Sequence, residues 1–195
     1  MATPRIVLLA AALAFGIATS RYAPAAAPAI TPYGHKSAQA PRQLSDFSFL
    51  VGKWQGSGKT RLADGSYAQF AGVTWIGRYI LNGTAIADEF HASTADGKAY
   101  LGISFRQFDT QHHSWIIEYL NVTNSFLRRQ VDPGSGSVSV DAGTVVVVSA
   151  DGQTKFRESY RLTDKNHYTY RAATSRDGGR NWDPTSIEIS MVKVE

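Results

Sequence analysis

The sequence predicts an all-β domain: an antiparallel up-and-down β-barrel of about nine or ten strands, preceded by a short helical turn. Three observations support this fold. Short strand-like runs alternate with Asp-Gly and Asn-Gly turn signals at the spacing expected for a barrel. No stretch after Gly52 has a helical period. Finally, Trp54, Gly56 and Gly58 share one strand face, which is typical of a strand that bends sharply while its Trp fills the bottom of a closed barrel.

The elements follow in order from local signals. Asp46 is a good N-cap for one helical turn over residues 47–51, and Gly52 ends that turn. The connections between the later runs are short, so neighbouring strands are expected to be antiparallel. The first strand carries Trp54, and the later ones are predicted at residues 67–77, 84–91, 99–108, 114–122, 125–131, 144–149, 154–162, 167–175 and 186–194, with a weak further run at residues 137–141.

The chain divides into three parts. Residues 1–20 are predicted to be a secretory signal peptide, cleaved after Ser20 or a few residues later, because one positive charge precedes an apolar run and small residues follow it. That run of about 14 residues is shorter than the roughly 20 needed to cross a bilayer, so no transmembrane segment is expected after cleavage. Residues 21–43, rich in Ala and Pro, are predicted to be a disordered linker, and residues 44–195 to be the barrel. The protein is therefore expected to be exported, either periplasmic or secreted.

Composition narrows the class of partner. The chain has no cysteine, so packing alone must hold an exported domain together. Its formal net charge is +4, and the basic residues are scattered singly along the predicted strands. Nucleic acid is therefore not expected as a partner. A monomer and a homodimer both remain open.

Several short motifs together resemble a known group of barrels. The segment from Phe47 through Gly52 to Trp54 is similar to the N-terminal signature of calycins, the lipocalin and fatty-acid-binding-protein group. With Gly56 and Gly58 it also resembles nitrobindin-type barrels. The domain as a whole, with residues 101–109 before Trp115 and residues 175–182 near the end, most resembles a bacterial calycin-like family of unknown function that is often exported. The resemblance implies a barrel with an interior cavity and no settled activity.

Histidines give little support for a cofactor or a metal. The nitrobindin resemblance implies haem held by a histidine on a late strand, and His167 is the candidate. It begins its strand beside Lys165 and Asn166, a polar setting unlike the apolar pocket that haem needs, so no cofactor is expected. His112 and His113 are adjacent, and adjacent side chains point to opposite faces of a strand, so no metal site is expected there.

A late motif is predicted to be structural. Ser175-x-Asp177-x-Gly179-x-x-Trp182 matches the Asp-box of sialidases and related propellers, in which the motif forms a hairpin turn. Propellers repeat it in several blades, whereas this chain carries it once. We therefore interpret it as a rigid turn and infer no glycosidase activity.

Aromatic and charged strand residues are the candidate lining of the cavity. A carboxylate among apolar neighbours needs a partner, so Glu118 and Glu158 are each expected to meet an arginine, with Arg106 and Arg171 as candidates. Such a pair could orient a ligand, act as general acid and base, or only close one barrel end. The aromatic candidates are Trp54, Trp75, Phe90, Phe105, Trp115, Tyr119, Phe126, Tyr160 and Tyr170.

Three functions are consistent with the sequence. The first is an exported protein that binds a small apolar or amphipathic ligand in the cavity. The second is a cofactor-free isomerase, cyclase or hydrolase that uses Glu118 or Glu158 with an arginine. The third is an envelope structural or interaction module, which a filled barrel with an exposed apolar patch would favour. The sequence favours the first.

Overall fold

A computed structural model describes residues 31–123 and 125–195, with Phe126 described by its backbone alone. The predicted signal peptide and the first part of the predicted linker lie outside these residues. No helix within the described ranges is long and apolar enough to span a membrane. The eleven strands found there are β1 (Gly52–Arg61), β2 (Tyr67–Ile80), β3 (Ala85–Thr94), β4 (Ala99–Asp109), β5 (Ser114–Asn121), β6 (Phe126–Val131), β7 (Ser137–Asp141), β8 (Thr144–Asp151), β9 (Thr154–Asp164), β10 (His167–Ser175) and β11 (Ile187–Lys193).

The strands form one antiparallel up-and-down sheet that curls into a nearly closed barrel. Its order is β6-β5-β4-β3-β2-β1-β11-β10-β9-β8-β7, so β1 pairs with both β2 and β11. The predicted fold is confirmed. The predicted count of nine or ten strands is slightly low, because the weak run at residues 137–141 also forms a strand, β7, paired with β8.

The two edges of the sheet meet at a seam between β6 and the hairpin of β7 and β8. Gly136 lies in this seam with a φ of +75°, and a Cβ added there would lie 2.7 Å from the Val148 carbonyl oxygen and 2.8 Å from that of Gln130. Only glycine fits so close an approach of two backbones. Side chains also cross the seam, because Gln130 of β6 donates to Glu158 of β9 over 2.6 Å.

A 3-10 helix (Arg42–Leu50), here called the plug helix, closes one end of the barrel. Leu44, Phe47 and Leu50 recur every third residue, so the three-residue turn of a 3-10 helix puts them on one face, and all three are fully buried. The helix therefore begins earlier than predicted. Asp46 lies in its middle instead of capping it, and Pro41 takes the N-cap position without a side-chain hydrogen bond.

Trp54 lies beneath the plug helix, as predicted. Its side chain is 1% exposed, and its indole Nε1 donates to the Leu50 carbonyl oxygen over 3.2 Å. Gly56 and Gly58 let β11 pass close over β1, since an added Cβ would lie 2.3 Å and 2.2 Å from the carbonyl oxygens of Ser190 and Glu188. The register of β1 against β2 shifts between Gly56 and Lys59, which is where the strand bends.

Residues 31–41 lie against the barrel, although the sequence predicts a disordered linker over residues 21–43. The Tyr79 amide donates to the Tyr33 carbonyl oxygen over 2.8 Å, and the Ser37 amide donates to that of Gly83 over 3.0 Å. Backbone pairing with the connection between β2 and β3 thus orders this segment, a contact that composition does not reveal.

The alternating strand directions give the barrel two different ends. The plug helix, the connection between β2 and β3 and the hairpin between β4 and β5 lie at the closed end. The hairpins that join β1 to β2, β3 to β4 and β5 to β6 lie at the opposite, open end, together with the loop between β10 and β11. The interior space described next lies between the plug and this open end.

Candidate ligand-binding cavity

A cavity of about 300 Å³ occupies the barrel interior above the plug. Volumes of this order are at the lower end of those that hold small organic ligands. The strands alternate inward and outward side chains, so each of the strands around the cavity contributes one or two residues to its wall. The lining consists of Trp75, Phe90, Tyr100, Ser104, Tyr119, Asn121, Arg128, Glu158, Tyr160, Tyr170, Ala172 and Ile187.

Aromatic rings form one continuous wall of the cavity. The Trp75 ring centroid lies 5.2 Å from that of Phe90 and 5.4 Å from that of Tyr170. The rings of Tyr160 and Tyr170 are 5.1 Å apart. These are spacings at which tilted and edge-to-face rings attract one another, so the wall is held in place by its own packing.

A polar corner, defined here as Arg128, Gln130 and Glu158, interrupts this wall at the seam. The Gln130 amide donates to Glu158 Oε1 over 2.6 Å, and the Tyr160 hydroxyl donates to Glu158 Oε2 over 3.2 Å. The Arg128 guanidinium lies over the Phe156 ring at 4.4 Å, with one nitrogen 3.7 Å from Glu158 Oε1. The corner thus places one cationic and one anionic side chain next to each other at the cavity wall.

A buried ion pair lies beneath the cavity. Asp88 and Arg106 are each 1% exposed, and their side chains form a salt bridge between β3 and β4. Trp75 Nε1 donates to Asp88 Oδ1 over 2.7 Å, and Arg106 Nη2 donates to the Tyr160 hydroxyl over 3.3 Å. The chain of contacts continues to Glu158, so the floor of the cavity and the polar corner form one network.

Three tyrosines of the cavity wall, Tyr119, Tyr160 and Tyr170, stay protonated at neutral pH. Burial raises the pKa of the Tyr160 phenol, and the nearby Glu158 carboxylate raises it further. The same two causes raise the pKa values of Tyr119 and Tyr170. Each hydroxyl therefore keeps its proton, and those of Tyr119 and Tyr170 can donate a hydrogen bond as well as accept one.

The predicted site residues fall into three groups. The cavity wall contains Trp75, Phe90, Tyr119, Glu158, Tyr160 and Tyr170. A second group, Trp54, Trp115 and Arg106, points inward but lies below the cavity. There Phe47 of the plug helix packs against the Trp115 ring at 4.8 Å and lies 5.2 Å from the Arg106 guanidinium. The side chain of Phe126 lies outside the described residues.

The third group, Phe105, Glu118 and Arg171, points outward, which corrects their predicted place in the lumen. Phe105 is 44% exposed, because its neighbours along β4 take the inward positions. Glu118 pairs with Arg129, whose Nη2 lies 3.0 Å from Glu118 Oε1 on the outer face. Arg171 pairs with Glu188 across the strands β10 and β11, at 2.6 Å.

The predicted carboxylate–arginine pairs also differ from those observed. Arg106 pairs with Asp88, and Glu158 meets Arg128, so neither predicted arginine lies against a predicted glutamate. The other residues that sequence reasoning missed are Tyr100, Ser104, Asn121, Ala172 and Ile187. The available signal was alternation, because Tyr100 and Ser104 share the inward face of β4 with Arg106.

His167 and the late motif lie where the sequence placed them, whereas His112 and His113 lie in the turn between β4 and β5. His167 is exposed at the hairpin between β9 and β10, where its Nδ1 lies 2.9 Å from Asp164. In the late motif, the Ser175 hydroxyl donates to Asp177 over 2.8 Å, and the Asn181 amide donates to Asp177 over 2.9 Å, so the motif is a turn. Within the described residues, no three acidic or histidine side chains cluster as metal ligands would.

Comparisons with known proteins support the fold alone. No family model and no curated protein matches the chain. Among solved structures, the S-type phycobiliprotein lyase CPES from Guillardia theta is similar with a TM-score of 0.55 and 10% identity, over 77% of this chain and 92% of that one. Rv2717c from M. tuberculosis is similar with a TM-score of 0.52 and 14% identity, over 80% of this chain and 99% of that one. The chain thus shares an antiparallel β-barrel fold with these proteins, and identities this low do not extend the likeness to function.

Proposed function

We propose that this protein binds a small, largely aromatic or amphipathic molecule in the cavity above the plug. One observation carries the proposal: an aromatic wall built around Trp75, Tyr160 and Tyr170 encloses about 300 Å³ and ends in a polar corner. An apolar cavity with a few convergent polar groups is the usual form of a small-molecule site.

Fluorescence with N-phenyl-1-naphthylamine tests the proposal. This uncharged dye emits strongly only in an apolar environment, and Trp75 lies in the cavity wall. We expect saturable dye emission at one molecule per chain, with quenching of tryptophan emission over the same concentration range. An absence of saturable binding would reject the proposal.

A matched pair of substitutions assigns the binding to the cavity. Ala172 lies opposite Glu158 on the inward face, whereas its neighbour Ala173 lies opposite Arg157 on the outer face. The substitution Ala172→Phe places a ring in the cavity and is expected to reduce dye affinity at least tenfold. Ala173→Phe adds the same ring outside and should leave affinity within about twofold. Equal effects of the two substitutions would place the dye elsewhere.

The other two functions are less well supported. The enzyme alternative needs a carboxylate in the cavity, and only Glu158 of its two candidates lies there, with both oxygens already accepting hydrogen bonds. That arrangement suits an anchor for a ligand. The interaction-module alternative was tied to a filled barrel, and the open interior does not favour it.

We also propose that the protein is exported after cleavage of residues 1–20. The support is the order of charge, apolar run and small residues at the N-terminus. Expression of the full chain in a bacterial host, followed by fractionation and mass measurement of the mature protein, tests this. A full-length protein that stays in the cytoplasm would reject it.

A further inference from the structure

The polar corner of the cavity is electrically balanced. Arg128 has Glu158 at 3.7 Å, and below them Arg106 is paired with Asp88. A ligand that carried only a carboxylate or only an ammonium group would add an uncompensated charge beside two largely buried side chains, since Arg128 is 21% and Glu158 15% exposed. Burying such a charge is costly, so the balance selects against singly charged ligands.

The same corner has unused hydrogen-bonding capacity on both sides. Arg128 Nε is buried and has no hydrogen-bond acceptor among the described residues. The 3.7 Å between Arg128 and Glu158 is an ion-pair distance, too long for a hydrogen bond. Each carboxylate oxygen of Glu158 accepts one hydrogen bond from a side chain and has lone pairs to spare. The partly exposed guanidinium of Arg128 and the carboxylate of Glu158 therefore lie side by side at the cavity wall, as a donor and an acceptor.

Resting on the proposed function, we propose that the cavity selects uncharged aromatic or conjugated rings that carry a cyclic amide. In a lactam, the N–H and C=O groups point from the same edge of the ring. The N–H would donate to Glu158 while the C=O accepts from Arg128, and the ring would lie against Trp75 and Tyr170. Such a group satisfies both sides of the corner without bringing a charge into it.

Matched bicyclic probes test this preference. 2-Quinolone, naphthalene, 2-naphthoate and tryptophan are compared by displacement of N-phenyl-1-naphthylamine. They represent a lactam, a plain hydrocarbon, an anion and a zwitterion on rings of similar size. Because 2-quinolone would form two hydrogen bonds to charged side chains, we expect it to bind at least tenfold more tightly than naphthalene. It should also bind more tightly than 2-naphthoate and tryptophan.

Two pairs of variants assign the preference to the corner. Glu158→Gln and Arg128→Met are each expected to lower 2-quinolone affinity about tenfold while changing naphthalene affinity by less than threefold. Their controls, Glu118→Gln and Arg129→Met, change the same residue types on the outer face and should leave both affinities unchanged. Retained naphthalene binding shows that a variant is folded.

The outcomes separate this inference from the proposed function. If the dye itself does not bind, the proposed function fails. If the dye binds but 2-quinolone and naphthalene displace it equally, the lactam inference is overturned and the cavity remains a binding site. Tighter binding of 2-naphthoate or of tryptophan would overturn it too, since the corner would then prefer an anion or a zwitterion.

Discussion

Replacing Arg106 by methionine is expected to destabilise the barrel by about 3–5 kcal/mol, because the change leaves the Asp88 carboxylate buried and unpaired. Both side chains are 1% exposed, so water cannot take over the role of the guanidinium. The hydrogen bond from Arg106 to the Tyr160 hydroxyl is lost as well. We therefore expect a loss of stability in the upper half of this range, about 4–5 kcal/mol.

A second substitution should recover most of this loss. In the double variant Asp88→Asn/Arg106→Met no charge remains in the floor, and the asparagine oxygen can still accept from Trp75 Nε1. The remaining cost is the lost bond to Tyr160 and imperfect packing, about 1–2 kcal/mol. The double variant should thus be more stable than Arg106→Met alone by about 2–4 kcal/mol, which is the difference between the two costs.

Urea unfolding followed by tryptophan fluorescence measures these differences. With a slope of about 2 kcal/mol per molar urea, Arg106→Met should lower the midpoint by about 2 M. Arg129→Met is the control, because Arg129 makes an exposed pair on the outer face that contributes less than about 1 kcal/mol. A midpoint for Arg106→Met close to that of the control would refute the reasoning, as would a double variant less stable than the single one.

Two further predictions concern the cavity wall and the late turn. A Cβ on Gly102 would lie 2.5 Å from the Tyr119 ring, so Gly102→Ala should push that ring into the cavity and weaken N-phenyl-1-naphthylamine binding at least threefold. Gly72→Ala is the control: a Cβ on Gly72 would have no atom within 4 Å, so the dye affinity should not change. Hydrogen bonds from Asn181 lower the pKa of Asp177 to about 2, so the stability contributed by the Asp177 carboxylate is complete above about pH 4 and is lost as the pH falls toward 2. Melting temperatures of the wild type and Asp177→Asn should therefore converge over that interval, and a constant difference would contradict this account.

The features of the fold that depend on local sequence were predictable. Asp-Gly and Asn-Gly signals placed the turns, and alternation placed the strands, because both depend on residues close together in the chain. The burial of Trp54 followed from its position after a short helical turn. The extent of that helix could not be predicted. Leu44, Phe47 and Leu50 recur every third residue, but this spacing indicates a 3-10 helix only once it is known that all three are buried.

The features of the site that depend on register were not predictable. Both faces of β5 are apolar, so the sequence could not show that Trp115 and Tyr119 point inward and Glu118 outward. The pairing of Asp88 with Arg106 depends on the register of β3 against β4, in which Ile86 lies opposite Arg106. The contact of Arg128 with Glu158 depends on closure of the barrel, which brings β6, at one end of the sheet order, close to β9, near the other end.

Because the polar corner spans the seam, binding of a ligand in the cavity and closure of the barrel affect each other. Arg128 lies on β6, one edge of the sheet, whereas Glu158 lies on β9, two strands inside the other edge. A ligand that contacts both side chains would link the two sides of the seam and would therefore oppose opening of the barrel. Conversely, opening of the seam would separate Arg128 from Glu158 and remove the polar contacts of the ligand. Uptake and release could then proceed while the aromatic wall stays folded.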